Sequence, residues 1–552
     1  LEHPDRYKGS GLLGMMMYTD AFAGSLKGVQ KKLNYIEECG VNCLHLMPLL
    51  QMPEAENDGG YAVSDYTQVD SRLGTMVDLS RLSDACHKRG ICVCLDFVMN
   101  HTSMEHEWAR RARAGEKEYQ DRYFFFDNFD IPAQYEKTCP QVFPTTAPGN
   151  FTWLEDIGKY VMTTFYPYQW DLNYRNPAVF NDMTGYLLNL ANHGIDIMRI
   201  DAVPYIWKEL NTSCRNLPQV HTIVRMLRMI CEIVCPGVLL LGEVVMAPDK
   251  VVPYFGTLDK PECHMLYNVT TMATLWHTAA VKDAALLKRQ TEIVAALPKD
   301  YVFLNYIRCH DDIGWGLEYV WLKEHHMQEN PHKKFLNDYF TGKYPGSLSR
   351  GELYNDDPAS GDARLCGTAA SLCGIEAARE SQNPEDLEKA VSLDLLLHGY
   401  MLSLSGIPMI YSGDEVARLN DYTYHSDPKK AADSRYVHRG PFLWDEAKLR
   451  HTPGTIQQRI FEGLRNMETL RKECGVFSQE ETWDSSVLCL CRQGGGQKLI
   501  SLFNFSDQPK TAWIKEEGTF KDLLTGQKQE ARDVPLKPYE MKWLLLQSPG
   551  QA

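Results

Sequence analysis

Short apolar runs of strand length alternate with longer amphipathic segments through residues 12–415, the pattern of repeated β-α units feeding a parallel sheet. Eight runs qualify as strands: residues 12–20, 42–49, 91–100, 195–202, 238–245, 264–269, 301–312 and 407–415. Between them, SLKGVQKKLNYIEECG, MVDLSRLSDACHKRG and AVFNDMTGYLLNLANHG carry helical periodicity, and each ends in Gly, a stop signal ahead of the next strand. Eight β-α repeats predict a closed barrel of the α/β class, the (β/α)8 or TIM barrel.

Two gaps are too long for one helix. Residues 104–175 are rich in aromatics, Pro and Asp, and residues 313–385 carry Gly, Asn, Asp and Pro clusters such as GELYNDDPASGD, so each predicts a subdomain inserted over the barrel mouth. The barrel is then assembled from 1–103, 176–312 and 386–473. From 474 to 552 the pattern changes to alternating strands, SVLCLCRQ, KLISLFNFS, TAWIKE and MKWLLLQ, with a Gly494-Gly495-Gly496 hairpin signal, and predicts an antiparallel β-sandwich domain. The most apolar stretch, Leu395 to Tyr411, is interrupted by His398, Gly399, Gly406 and Pro408, so it reads as a helix end plus a buried strand and not as a membrane span.

Composition narrows the function. At 552 residues the chain is enzyme-sized, and 57 Lys and Arg against 72 Asp and Glu leave a net charge of −15, which repels phosphate backbones and anionic membranes. Neither nucleic acid nor a membrane is an expected partner, and oligomeric state is not legible. Several of the sixteen cysteines (Cys43, Cys92, Cys94, Cys309) lie in apolar runs. They read as reduced core residues of a cytoplasmic protein, with export left open because the first residue is Leu1 and not Met. The pairs Cys92/Cys94 and Cys489/Cys491 have no accompanying His or CxxC cluster, so no zinc site is expected.

In a barrel, chemistry gathers at the C-terminal strand ends. Four of these carry ionisable groups: Asp96 to His101, Arg199 with Asp201, Glu243, and His310 with Asp311 and Asp312. A lone Asp there is most often a helix cap, but several acids and two histidines on one rim mark acid-base or nucleophilic work. Paired carboxylates suit glycoside cleavage, one attacking the anomeric carbon and the other protonating the leaving oxygen. Asp201 beside Arg199 is expected to stay ionised as nucleophile, and Glu243, in the apolar LLLGEVVM, to hold the proton.

The segments DFVMNHTS (96–103), GIDIMRIDA (194–202), GEVV (242–245) and RCHDD (308–312) resemble, in order and spacing, the four signature segments of the α-amylase superfamily, glycoside hydrolase family 13. The resemblance implies retaining chemistry on a barrel with a B subdomain after the third strand. It casts Asp201 as nucleophile, Glu243 as general acid/base and Asp311 as the carboxylate that grips sugar hydroxyls, with His101 and His310 as further contacts. Longer stretches, DGGYAVSDY (58–66), TTFYPYQWDLNYRNP (163–177), NYIRCHDDIGW (305–315), SGDARLCGTAASL (360–372) and DSRYVHRG (433–440) among them, are similar to amylosucrases. Those enzymes pass the glucosyl unit of sucrose to a growing α-1,4-glucan and release fructose. That likeness implies a pocket floor of Asp58 and Arg435, Tyr61 stacked on the glucosyl ring, and Phe165, Gln169, Asp312 and Arg364 on the fructose or acceptor side. Without it, Asp58 would be a turn residue beside two glycines and Phe165 a loop aromatic.

The chain departs from the amylosucrase pattern in places. Pro140 and Lys333 stand where Arg is usual, and most of the N-terminal helical domain is absent from this sequence. Calcium-binding amylases place His four residues after the nucleophile, whereas this chain has Tyr205, so the calcium site looks incomplete although Asn100 remains; no metal and no cofactor are expected. The expected partners are sucrose and α-glucan acceptors. Sucrose hydrolase and sucrose phosphorylase share the first-step residues, and a non-catalytic sugar-binding relative is disfavoured by retention of all three acids.

Overall fold

In the computed structural model, which describes residues 4–246, 248–357, 361–471, 476–494, 497–530 and 532–546, all eight expected runs are strands. They are Gly14–Met17 (β1), Cys43–Leu46 (β2), Cys92–Val98 (β3), Ile197–Asp201 (β4), Leu239–Gly242 (β5), Met265–Tyr267 (β6), Val302–Asn305 (β7) and Ile407–Tyr411 (β8). They close into a barrel in the order β1, β8, β7, β6, β5, β4, β3, β2. Strand β3, CVCLDFV, is buried at every position, as a parallel strand covered on both faces requires. Its register with β4 sets Arg199 opposite Asp96 and Asp201 opposite Val98, and β4 meets β5 with Ile200 opposite Gly242.

The chain divides into two compact units. The first comprises Leu1–Asp5, Met16–Tyr35 and Asn42–Tyr267. Its helix Met76–His87 opens on a capping box between Thr75 and Asp78, and its helix Pro177–Asn192 opens on an Asn176 cap with Pro in the first turn. Gly194, after the second of these, has φ 89°, and a Cβ there would lie 2.8 Å from that of Ser83, so no other residue turns the chain into β4 as cheaply. The first insertion holds a three-stranded antiparallel sheet ordered Phe125–Phe126, Lys159–Met162, Phe151–Leu154 and the helix Asp130–Glu136. Its apolar cluster includes Phe124, Tyr135, Cys139, Met162 and Cys214. Beyond it, Gln169–Asp171 pairs antiparallel with His101–Ser103.

The second unit comprises Arg6–Met15, Ile36–Val41 and Asn268–Ala552. The apolar stretch at 395–411 resolves into the end of helix Pro384–Ser403, a turn at Gly406 (φ 107°) and β8, as its breakers predict. The second insertion holds the helix Glu329–Phe340 and the ribbon Glu352–Asp357 with Asp362–Cys366; Ser360, which opens one of the quoted motifs, lies outside the described residues. The C-terminal strands are Val476–Glu480 (β9), Val487–Gly494 (β10), Gln497–Asn504 (β11), Lys510–Trp513 (β12), Thr519–Asp522 (β13), Lys528–Glu530 (β14), Asp533–Leu536 (β15) and Met541–Leu546 (β16). They form a six-stranded sheet ordered β9, β10, β11, β16, β13, β14 and a separate β12, β15 ribbon. Val487, Ile500, Leu502, Phe520, Val534 and Leu544 pack into one core. The expected hairpin is present, β10 pairing with β11 up to Gly494 and Gln497. Gly495, Gly496 and the expected domain boundary at residue 474 lie outside the described residues.

Cys43, Cys92, Cys94, Cys489 and Cys491 are buried, as read from their apolar neighbours. Cys309 is half-buried and so departs from that reading, because β7 stops at Asn305 and the chain has left the barrel wall. Among the described residues no helix is long and apolar enough to cross a membrane.

Candidate active site

In the first unit, the ends of β3, β4 and β5 converge on one guanidinium. Arg199, buried in β4, places NH1 3.0 Å from Asp96 Oδ1 and against Asp201 Oδ1, while NH2 lies 2.8 Å from Glu243 Oε1. Three acids around one cation is affordable in a buried site because the guanidinium offers several donors in a fixed plane. Asp96 is fixed in turn by His45 Nε2 at 2.8 Å and by the Tyr61 hydroxyl at 2.9 Å, and the Tyr61 and Tyr267 rings each lie 5.6 Å from the Arg199 guanidinium carbon.

The backbone brings the two candidate catalytic acids together. Ala202, directly after Asp201, adopts a left-handed conformation (φ 49°), which aims its N–H at Glu243 Oε2, 2.9 Å away. Gly242 lets β5 approach its neighbours, since a Cβ there would meet Cys263 Sγ at 2.6 Å. Asp201 and Glu243 lie on the two terminal nitrogens of the same Arg199 guanidinium. Burial and then the neighbouring Glu243 push the Asp201 carboxyl well above the usual range, with Arg199 opposing both. Arg199 is thus the group that favours the ionised Asp201 expected from sequence, against burial and Glu243.

The other residues of this unit brace the same wall. His101 is buried with Nε2 3.0 Å from the Tyr61 carbonyl and Nδ1 3.1 Å from the Asn100 amide, and burial pushes its pKa down to about 3, so it is neutral at working pH. Gln169 is fully buried; its amide donates to Asp58 Oδ2 at 3.1 Å and to the Tyr61 carbonyl at 3.2 Å, and its oxygen accepts from Tyr166 N–H at 3.0 Å. Gln169 is thus tied through both its amide nitrogen and its oxygen, and its amide braces Asp58 and the Tyr61 carbonyl. Phe165 packs between His101 and Tyr205, its ring centroid 5.3 and 5.2 Å from theirs.

Where sequence alone suggests an incomplete calcium site, the structure places a side-chain cation. Lys208 is buried with its ammonium 2.5 Å from Asn100 Oδ1, against the Tyr205 carbonyl, and 3.9 Å from Asp171 Oδ2. Asp171 also accepts from the Asn100 amide at 3.1 Å and from Thr164 N–H at 3.0 Å. Burial lowers the Lys208 pKa while Asp171 opposes it, and burial raises that of Asp171 while Lys208 opposes it. An all-oxygen donor set is what calcium takes, but an ammonium already stands among these oxygens, so the residues present do not fit a bound calcium ion.

In the second unit, Asp311 is the more exposed of the two acids after β7. Its carboxylate faces Arg439 NH2 at 3.2 Å, Arg435 NH1 at 3.5 Å and His310 Nε2 at 3.3 Å. Arg435 forks onto Asp433 through 2.9 and 2.8 Å bonds, and Arg439 donates to the buried His310 carbonyl at 2.7 Å. Asp312 is buried, which raises its pKa, and Arg364 NH1 at 3.4 Å opposes that shift. Lys333 is pinned between Glu329 and Asp362, and the Pro140 carbonyl of the first unit accepts from Arg215 at 2.9 Å.

Sequence reasoning missed Asp96, His45 and Lys208 as site members. The first two had a signal: each is, cysteines aside, the lone ionisable residue of an apolar barrel strand, CVCLDFV and CLHL. Lys208 had none, since its burial follows from the path of the loop after β4.

Residues 3–313 match the α-amylase catalytic domain family, and residues 489–543 match the β-galactosidase C-terminal domain family. A trehalose synthase of Thermus thermophilus is 33% identical over 88% of this chain and 48% of its own length. One of Pimelobacter sp. (strain R48) is 30% identical over 71% of this chain and 62% of its own length. The chain thus spans about half to three fifths of these relatives. A glucosylglycerate phosphorylase of Escherichia coli (strain K12) is 27% identical over 91% of this chain and 85% of its own. The solved trehalulose synthase of Pseudomonas mesoacidophila MX-45 superposes with a TM-score of 0.71 at 19% identity, covering 98% of this chain and 99% of that one.

Proposed function

The chain belongs to the α-amylase catalytic-domain family, and from that premise we propose that it is a retaining glucosyltransferase of the amylosucrase type, with sucrose as donor and an α-1,4-glucan as acceptor. The observation that carries the chemistry is that Asp201 and Glu243 share one guanidinium, each on a different terminal nitrogen of Arg199. Retaining enzymes hold their two carboxyls about 5–5.5 Å apart and inverting enzymes about 6.5–9.5 Å, and two acids gathered on one guanidinium suit the closer spacing.

In this reading the sugar sits against the two acids, with Glu243 protonated and Asp201 ionised beside Arg199. Glu243 delivers its proton to the glycosidic oxygen as the bond to the anomeric carbon breaks, and Asp201 attacks that carbon from the opposite face to form a glucosyl ester. Arg199 keeps the Asp201 oxygen aligned and offsets its charge. In the second half, Glu243 takes the proton of the acceptor hydroxyl, which displaces Asp201. Asp58, Tyr61, His101, His310, Asp311, Asp312, Phe165, Arg364 and Arg435 are proposed sugar contacts, with Gln169 acting through Asp58 and Tyr61.

A second reading, rearrangement of an α-glucosyl disaccharide such as trehalose, draws on the likeness to trehalose synthases over 88% of the chain. Incubation with sucrose alone and with trehalose alone separates the readings. Fructose with insoluble glucan supports the first; fructose with stoichiometric glucose indicates a hydrolase, and glucose 1-phosphate in phosphate buffer a phosphorylase. Inertness towards sucrose with conversion of trehalose replaces the first reading by the second.

A further inference from the structure

Cys139 closes the first insertion's helical turn, and Cys214 sits in the loop after β4; they are 75 residues apart in sequence, and their sulfurs are 3.1 Å apart in a buried contact. We propose that Cys139 and Cys214 form a redox site, closed by a hydroperoxide to a disulfide and reopened by thiols, that ties the insertion to the loop carrying Lys208 and Tyr205.

Other close thiols lack this geometry. Cys231 and Cys235 stand one turn apart at the end of helix Pro218–Val234, where successive-turn Cβ atoms are about 5–6 Å apart against the 3.5–4.5 Å of a disulfide. Cys43 and Cys92 face each other across two rigid barrel strands. Cys139 and Cys214 lie on two separate loops that meet in one apolar cluster, through Arg215 on the Pro140 carbonyl and Cys139 Sγ on the Thr212 carbonyl, so neither sulfur is fixed by a strand ladder or a shared helix.

The surroundings also make one thiol the nucleophile. Cys214 Sγ lies 3.4 Å from the Glu209 carbonyl and 3.9 Å from the Thr212 hydroxyl, and Cys139 Sγ is directed at it and at the Thr212 carbonyl. Cys214 donates to the Glu209 carbonyl and accepts from Cys139; the Cys139 bond lowers Cys214 to about 6, with burial opposing, and raises Cys139, so Cys214 is the thiol that ionises first. The Cys214 thiolate attacks a peroxide oxygen; the O–O bond breaks, Cys214 becomes a sulfenic acid, and the leaving alkoxide takes the proton Cys214 had released. The Cys139 thiol then attacks the sulfenic sulfur; the S–S bond forms, the S–O bond breaks, and hydroxide leaves with the Cys139 proton as water. Two thiols are oxidised, and one hydroperoxide becomes one alcohol and one water.

The test treats the whole reduced protein under native conditions with hydrogen peroxide, alkylates free thiols and maps them by peptide mass. The expected result is that Cys139 and Cys214 lose alkylation together, a peptide linking them appears, dithiothreitol restores both, and the oxidised form melts several degrees higher. In C139S, or in C139A should serine fail to fold, Cys214 is expected to stop at a dimedone-reactive sulfenic acid with no rise in melting temperature. The proposal is overturned if both thiols stay alkylatable after peroxide has consumed the half-buried Cys235 and Cys309. It is equally overturned if they oxidise without a linking peptide, or if either links to a third cysteine.

Discussion

Replacing Lys208 by methionine keeps its volume and removes its charge. The loss strands the Asp171 carboxylate, which is fully buried, and leaves Asn100 Oδ1 and the Tyr205 carbonyl without their ammonium donor. Removing one partner of a buried ion pair costs about 3–5 kcal/mol, and Asp171 retains its bonds from Asn100 and Thr164, so the lower end, about 3 kcal/mol, is expected at neutral pH. The sign with pH follows from Asp171. Burial raises its pKa and Lys208 opposes that, so in Lys208→Met the folded pKa rises further above the unfolded value. Such a group contributes stability below the unfolded pKa and loses it as pH rises through the folded one. The deficit is therefore small near pH 4 and full at pH 8. Urea melts of wild type and variant at both pH values measure it. Added calcium is expected to restore part of the variant's stability, because the oxygens are then open to a cation, and EDTA is expected to leave the wild type unchanged. A neutral-pH deficit below about 1 kcal/mol, or a wild type that EDTA destabilises, refutes the reasoning.

Asp96→Asn weakens the support of Arg199 without touching the sugar; kcat is expected to fall by about tenfold to a hundredfold with little change in KM, checked by steady-state kinetics on whichever disaccharide the protein cleaves. Gln169→Ala unties Asp58 and Tyr61, so KM is expected to rise more than kcat falls; an unchanged KM argues against the brace. Glu468 is buried against Arg465, and burial raises its pKa to about 7. Its contribution is thus full below about pH 4.5 and lost as pH rises to 7, and Glu468→Gln is expected to flatten the stability-pH slope in that window, read by melts at half-unit steps.

Much of this architecture was legible because barrel strands are written in a local code. The runs CVCLDFV and IMRID are apolar without interruption except at the acids and the arginine that do the work, and their Gly-terminated helices carry their own stop signals. The tie between the two strand ends was not legible, because it depends on Glu243 accepting from the N–H of the left-handed Ala202, 41 residues away in sequence. Lys208 in place of a metal was hidden for the same reason. Nothing in IWKELNT announces that a lysine will be buried, since its partners come from β3, the first insertion and the loop of Tyr205. Gln169 entered through the resemblance to amylosucrases, and the fold adds bonds from its amide to Asp58 and the Tyr61 carbonyl that no local pattern announces.

The central claim is that Asp201 becomes esterified to glucose. Its most direct test is Glu243→Gln incubated with α-glucosyl fluoride, whose fluoride leaves without acid help, followed by peptide mass mapping. A hexosyl increment on the peptide containing Asp201, absent in the Asp201→Asn, Glu243→Gln double variant, is the expected result. No adduct together with product of inverted anomeric configuration, or an adduct on another carboxylate, contradicts the account.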